Sequence, residues 1–130
     1  MSQGAREDVL WFWHHAQIAV KAARQNLEID PSTASNRAYY AAFYAVSALF
    51  ASEGRTYTRH SAVEAAVHRD LVNTGRWTQS LGAAYRELHS LRMAVDYDVS
   101  TFPPAEKAQE AVQQAEMILE AVRASCPQLG

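Results

Sequence analysis

Arginines and tyrosines recur at helical spacing in two separate stretches of the sequence. In the first, Arg37, Tyr40 and Tyr44 stand at i, i+3 and i+7, so a helix places them on one face. The second stretch repeats this spacing with Tyr85, His89, Arg92 and Asp96, and Tyr97 follows. Guanidinium groups bind phosphate through forked hydrogen bonds, and aromatic rings stack on bases. If the two helices pack as antiparallel neighbours, their polar faces line one cleft for RNA or a nucleotide.

Two histidines are candidates for proton transfer in that cleft. His89 lies one turn before Arg92, and His60 follows Arg55 after four intervening residues. Histidine exchanges protons near neutral pH, so either ring is a candidate acid or base on a 2′-hydroxyl. We interpret the spacing of Arg55 and His60 as coincidental and not as a functional motif, because the two residues fall at a joint between two helices. The candidate catalytic residues are Arg92, Asp96, His89 and His60, and the candidate binding residues are Arg37, Tyr40, Tyr44 and Tyr97.

A simpler interpretation of the same residues needs no ligand. Arg92 and Asp96 at i,i+4 would form an ion pair that stabilises the helix by about 0.2–0.5 kcal/mol. The tyrosines would then be core residues with solvated hydroxyls. His14 and His15 are adjacent and diverge by about 100° on a helix, so they do not form a metal motif. With no Gly-rich phosphate loop either, we predict neither a metal nor another cofactor.

Composition is typical of a small folded protein with no membrane-spanning segment. Of the 130 residues, 48% are hydrophobic, and we expect one domain over residues 1–130 with its core at about 6–124. Net charge is −2, but residues 54–92 carry six arginines against three acids. That stretch is either a phosphate-binding surface or a solvated one. The single cysteine, Cys126, is placed in a C-terminal tail, and its lack of a pairing partner fits a reducing cytoplasm.

Hydrophobic periodicity predicts helices throughout the chain. Apolar residues recur at 3–4 spacing over about 6–27, 33–52, 59–72, 78–97 and from Pro103 onward. Pro31, Gly54 and Gly75 stand at the predicted breaks. The fold class is therefore all-α, an up-and-down bundle of four to five helices with the apolar second helix at its centre. Trp11, Phe12 and Trp13 diverge around the first helix, so one of them is expected either to face a second subunit or to enter a widened core.

Three segments occur in order along the chain: SNRAYYAAFYAVSALF, RHSAV and LHSLRMAVDY. In this order they resemble the HEPN-domain family, closest to its small stand-alone prokaryotic members, over about residues 8–124. The resemblance implies a helical bundle that forms a homodimer. It further implies the toxin or effector half of a toxin–antitoxin pair, a metal-independent endoribonuclease when active, whose antitoxin partner is a minimal nucleotidyltransferase. In related systems that partner nucleotidylates a tyrosine beside the motif, which here corresponds to Tyr97.

The sequence departs from the family's active motif. That motif is an arginine followed, after four to six residues, by a histidine, whereas Arg92 is followed by Asp96 and Tyr97 and by no histidine at that spacing. An aspartate is ionised near pH 7 and repels a phosphodiester. The resemblance therefore implies a weak or inactive endoribonuclease. The alternatives are a non-catalytic nucleotide-binding or protein-interaction module, and a polar cluster that only fixes the register of a dimer.

Overall fold

A computed structural model of the chain describes residues 2–97 and 103–129, all of them helix, turn or loop. The five α-helices are α1 (Gln3–Gln25), α2 (Pro31–Ser52), α3 (His60–Ala66), α4 (Gln79–Tyr97) and α5 (Ala105–Ser125). A π-helical segment (Val67–Val72) continues α3, and a 3-10 turn (Pro127–Leu129) follows α5. No strand occurs in the part of the chain that the structure describes. The predicted all-α bundle is confirmed.

The four long helices run alternately up and down, and α3 follows α2 and precedes α4 along the chain. α2 lies at the centre and packs against α1, α4 and α5. Along the α2–α4 contact, Asn36 meets Asp96 and Tyr40 meets Arg92, so rising residue numbers on one helix meet falling numbers on the other. The two helices that carry the polar faces are therefore antiparallel neighbours.

The breaks between helices follow local chemistry. Asp30 caps α2, because its carboxylate accepts hydrogen bonds from the backbone N–H groups of Ser32 and Thr33. Pro31 then occupies the first turn, where its missing N–H costs nothing. Gly54 and Gly75 adopt positive φ angles of 81° and 82°, which glycine tolerates best. Asp30, Pro31 and Gly54 thus mark where α2 begins and ends, and Gly75 lies in the turn that follows the π-helical segment.

Small residues let the core helices approach closely. The buried faces of α1 and α5 match the predicted periodicity: Trp13, Ala16, Val20 and Ala23 on α1, and Ala108, Ala111, Ala115, Ile118 and Val122 on α5. On α2 the buried set includes six alanines between Ala34 and Ala48. The apolar face of α4 is only partly enclosed, since Ala84 and Leu88 are buried while Leu91 and Val95 are half-buried.

Two features differ from the prediction. The third helix changes from α to π geometry at Val67, where α4 approaches so closely that a Cβ on Gly82 would lie 2.5 Å from Cγ2 of Val72. Cys126 is only 2% exposed and packs with the core, so its placement in a tail is wrong.

Asp98 and Val99, which fall at the spacing of the family motif, lie outside the described residues. Among the described helices, none is long and apolar enough to cross a membrane.

Candidate functional site

Arg92 lies at the centre of the contact between α2 and α4. Its Nη2 donates a hydrogen bond to the Tyr40 hydroxyl at 3.1 Å. Its Nε lies 2.9 Å from Oδ2 of Asp96, as an i,i+4 ion pair, although this N–H is not aligned for a hydrogen bond. The Arg92 side chain is only 15% exposed. The guanidinium is therefore held at a defined place against α2.

Arg37 reaches the same tyrosine from α2. Its guanidinium carbon lies 4.8 Å from the centre of the Tyr40 ring, and that of Arg92 lies 5.4 Å from it. Arg37 also donates two hydrogen bonds to Oδ1 of Asn36, whose amide nitrogen lies 3.3 Å from both carboxylate oxygens of Asp96. The two predicted polar faces thus meet. We call Arg37, Tyr40, Arg92 and Asp96 the polar cluster.

Tyr39 joins the polar cluster to both candidate histidines. Its ring is fully buried, and the Arg92 guanidinium carbon lies 5.5 Å from its centre. The rings of His60 and His89 lie nearly parallel to it, with centroids 5.7 Å and 5.3 Å away. Burial raises the pKa of Tyr39 to about 12, so its hydroxyl stays protonated at neutral pH. Sequence analysis missed Tyr39, although its place beside Tyr40 on an apolar helix was a usable signal.

Each candidate histidine has its Nδ1 held by another side chain of this chain. Nδ1 of His60 lies 2.7 Å from the Tyr39 hydroxyl, and Nδ1 of His89 lies 2.7 Å from Oε2 of Glu64. Burial, and then the nearby Arg92 and His89, lower the pKa of His60. His60 is therefore neutral at pH 7. Glu64 was also missed, although it stands one helical turn after His60.

Tyr44 and Tyr97 lie at the two edges of the polar cluster. The Tyr44 ring is 5.9 Å from that of Tyr40 and 5.8 Å from both Trp11 and His15 of α1. Trp11 is 51% exposed. Tyr97 is 70% exposed, and its ring centre lies 5.9 Å from the Arg92 guanidinium carbon. The structure therefore brings all eight candidate residues into one contiguous group.

One member of the second polar face does not belong to this surface. Tyr85 shares a helix face with His89 and Arg92, but it has no exposed surface and cannot line a cleft. Burial raises its pKa well above the ordinary value. Its ring lies 6.2 Å from that of Tyr39, and its hydroxyl has no partner in hydrogen-bond geometry. Including Tyr85 among the cleft residues is wrong.

The arginine-rich middle of the chain is largely neutralised by ion pairs. Arg55 pairs with Glu53 and Asp70, Arg76 pairs with Glu53, and Arg69 pairs with Asp70. The hydrogen bond from Arg69, followed by that from Arg55, lowers the pKa of Asp70 to about 2. Three of the six arginines are thus engaged away from the polar cluster. Arg55 and His60 have different partners, and the coincidental origin of their spacing stays an interpretation.

The ligands that a metal site would need are not assembled. Over residues 2–97 and 103–129, no three side chains of His, Cys, Asp or Glu lie close enough to hold a metal ion. What the site offers instead is two guanidinium groups, phenol and indole rings, and two oriented imidazoles. Such groups contact phosphates, bases and transferable protons.

A family model, a relative of known sequence and a solved structure each match this chain. A family model described as the HEPN domain matches residues 9–125. A protein named UPF0332 protein from Thermotoga maritima is 37% identical over 119 residues, which cover 90% of each chain. The crystal structure of TT1696 from Thermus thermophilus matches with a TM-score of 0.73 at 20% identity, over 95% of this chain and 99% of the other. At that identity the structural match shows the fold alone.

Proposed function

Because the chain belongs to the HEPN domain family, we propose that it is a homodimeric RNA-binding protein, the effector half of a pair with a nucleotidyltransferase. One observation carries the RNA-binding part, namely the convergence of Arg37 and Arg92 on the ring of Tyr40. Two guanidinium groups on one aromatic ring are suited to hold a phosphodiester beside a stacked base.

Phosphate binding is assigned to Arg92, and Arg37 contributes from the rim. The Arg92 guanidinium is held by the Tyr40 hydroxyl and by packing near two rings, so little side-chain entropy remains to be lost when a phosphate binds. Asp96 opposes this binding, because its carboxylate is already paired with Arg92 and repels an anion. Affinity for RNA is therefore expected to be modest.

Base stacking is assigned to the aromatic residues at the edges of the polar cluster. Trp11 and Tyr97 are the large exposed rings, and Tyr44 links Trp11 to Tyr40. Stacking of a base on an aromatic side chain contributes about 1–3 kcal/mol by alanine substitution and tolerates any base. This favours single-stranded RNA with little sequence preference.

Dimerisation is supported by the apolar residues that α1 leaves at the surface. Leu10, Trp11 and Ile18 are each about half exposed, and Trp11 adjoins Tyr44 at the edge of the site. Exposed apolar groups of this kind mark interfaces. Analytical ultracentrifugation tests the proposal, and a wild-type chain that sediments as a monomer at high concentration would exclude it.

The proposed nucleotidyltransferase partner is supported by the family and by one exposed residue. Tyr97 is 70% exposed beside Arg92, so a partner enzyme can reach its hydroxyl. Addition of a nucleotide there would place a phosphate next to Arg92 and occupy the site. Mass spectrometry of the chain after co-expression with such an enzyme measures this modification.

RNA binding is tested by replacing Arg92. We expect Arg92→Ala to weaken binding of a labelled single-stranded RNA by about tenfold or more, since a charged hydrogen-bond partner of phosphate is lost. Arg86→Ala is the matched control, because Arg86 is an exposed arginine on the same helix that lines a different cavity. Fluorescence anisotropy at fixed salt measures both. Equal losses would reduce the effect to net charge and contradict the proposal.

A non-catalytic nucleotide-binding module is the second candidate, and Asp96 favours it. The carboxylate stands one residue before the first position at which the active motif of the family has its imidazole, and it pairs with Arg92. Calorimetry with ATP and other nucleotides, followed by analysis of the products, separates the candidates. Binding of a mononucleotide without turnover, in a chain that does not bind RNA, would favour the module.

A further inference from the structure

A carboxylate fixes the orientation of His89. Oε2 of Glu64 lies 2.7 Å from Nδ1 of His89, and both side chains are mostly enclosed, with 24% and 21% of their surfaces exposed. An ionised carboxylate only accepts hydrogen bonds, so the proton of a neutral His89 must be on Nδ1. The other ring nitrogen, Nε2, then carries a lone pair and points away from Glu64. This is the arrangement in which an imidazole accepts a proton from a substrate.

The two residues of this pair come from different helices. Glu64 projects from α3 and His89 from α4, so the contact joins two helices through residues that are 25 positions apart in sequence. The His89 ring also lies nearly parallel to the buried Tyr39 ring, which lies beside Arg92. His89 is one helical turn from Arg92 on α4. A phosphodiester held by Arg92 is therefore close to an imidazole whose tautomer is set.

We propose that Glu64 is a positioning residue that makes Nε2 of His89 the proton acceptor for the 2′-hydroxyl of an RNA bound at Arg92. The inference rests on the proposed RNA binding, and in it His89 takes the place of the motif histidine that this chain lacks. The 2′-oxygen forms a bond to phosphorus as its proton passes to Nε2. The bond from phosphorus to the 5′-oxygen breaks, that oxygen takes a proton from water, and His89 returns its proton to the resulting hydroxide. The products are a 2′,3′-cyclic phosphate and a 5′-hydroxyl.

His60 has a different role in the same site. Its Nδ1 faces a phenol that stays protonated, and its ring stacks on Phe43 with centroids 4.2 Å apart. We assign it to packing and to hydrogen bonding, because no carboxylate sets its tautomer. The structure therefore distinguishes between the two histidines that the sequence left equivalent.

The first test measures the tautomer without any ligand. Nitrogen-15 NMR of the histidine rings in the wild-type protein should show neutral His89 with its proton on Nδ1. In Glu64→Ala this preference should be lost. A wild-type His89 that carries its proton on Nε2 would overturn the inference, whatever the protein does with RNA.

The second test separates positioning from binding and from folding. Cleavage of a labelled RNA by wild type, in the presence of a metal chelator, should yield a cyclic phosphate. We expect Glu64→Ala to lower kcat by about 10²-fold with KM nearly unchanged, as for a general base that has lost its orientation. Glu64→Gln should recover part of the rate, since the amide oxygen still accepts from Nδ1. Glu87→Gln, a carboxylate on α4 that contacts Gln114 outside the site, is the matched control.

Failure of this inference is distinguishable from failure of the proposed function. Wild type that binds RNA through Arg92 but does not cleave it leaves the proposed function standing and removes the role of Glu64. A kcat that is unchanged in Glu64→Ala would also contradict the proposed role of Glu64. Wild type that does not bind RNA removes both.

Discussion

Two of the side chains around the Arg92 guanidinium have opposite consequences for a phosphate. Tyr40 fixes its direction through a neutral hydrogen bond and leaves its charge intact. Asp96 lies 2.9 Å from Nε and cancels that charge. The affinity of the site for an anion is thus set by how easily one carboxylate is displaced.

Replacing Asp96 with its neutral analogue should strengthen RNA binding. Asp96→Asn keeps an oxygen that can accept from Asn36 but removes the charge that competes for Arg92. We expect affinity to rise by up to about fivefold, which corresponds to a partly exposed ion pair of up to about 1 kcal/mol. Anisotropy with the same RNA measures it. Asp8→Asn on α1, which removes one exposed charge elsewhere, controls for net charge, and an equal gain there would contradict the prediction.

At the scale of elements, the short helix α3 matters most for the site. It has only seven residues and no side-chain cap, yet it supplies both His60 and Glu64, one turn apart. Its stability depends on its continuation as the π-helix, which packs against Gly82 of α4. This contact leaves no room for a Cβ, so it holds α3 and α4 in register.

Adding a methyl group at Gly82 should disturb that register. In Gly82→Ala the new Cβ meets Cγ2 of Val72 at 2.5 Å, and valine has few rotamers with which to yield. We expect a net loss of about 1–2 kcal/mol, because overpacking exceeds the gain in helix propensity. Urea denaturation measures it. Gly4→Ala, which meets no atom within 4 Å on α1, should be neutral or stabilising.

A double variant shows whether the loss comes from the contact. Val72→Ala removes the methyl group that the new Cβ of Gly82→Ala would strike, so the combined variant should be more stable than the sum of the two single changes implies. Strict additivity would mean that the Val72 contact is not the cause.

For the whole molecule, two half-buried histidines make stability depend on pH. Burial, followed by the charges of Arg92 and His89, lowers the pKa of His60, and burial followed by Arg86 lowers that of His68. In an unfolded chain a histidine titrates near pH 6.5. Below that pH the unfolded state binds more protons than the folded state, so stability is lost as the pH falls toward the lower folded values.

The urea concentration at the midpoint of unfolding, at fixed protein concentration, should therefore decrease as the pH is lowered from about 7.5 to about 5.5. A second loss should follow below about pH 4, where Asp70, whose folded pKa is about 2, becomes protonated in the unfolded chain first. The double variant His60→Gln and His68→Gln should flatten the first stage and leave the second. A midpoint that is constant or rises over the first stage in wild type would contradict this assignment.

Much of the fold was predictable from local patterns. The 3–4 spacing of Trp13, Ala16, Val20 and Ala23 predicts the buried face of α1, because burial of apolar surface acts on every turn of a helix alike. Caps and breakers such as Asp30 and Gly54 fix the ends of α2, because their effects depend on the backbone nearby. The same periodicity also placed Arg37 with Tyr40, and His89 with Arg92.

Contacts between helices could not be predicted from the sequence and were established by the tertiary structure. The spacing of Tyr85 gave its helix face but not its burial, which depends on where α2 lies. The Glu64–His89 contact spans 25 residues, and nothing in either local stretch selects the other as its partner. The change from α to π geometry at Val67 likewise accompanies the approach of Gly82 on α4.

The sequence by itself determined the helices, their ends and the face on which each polar residue stands, because those follow from interactions within a few residues. Only the packing of α2, α3 and α4 decided that Arg92 meets Tyr40 and that Glu64 orients His89, because such pairs depend on the crossing of whole helices.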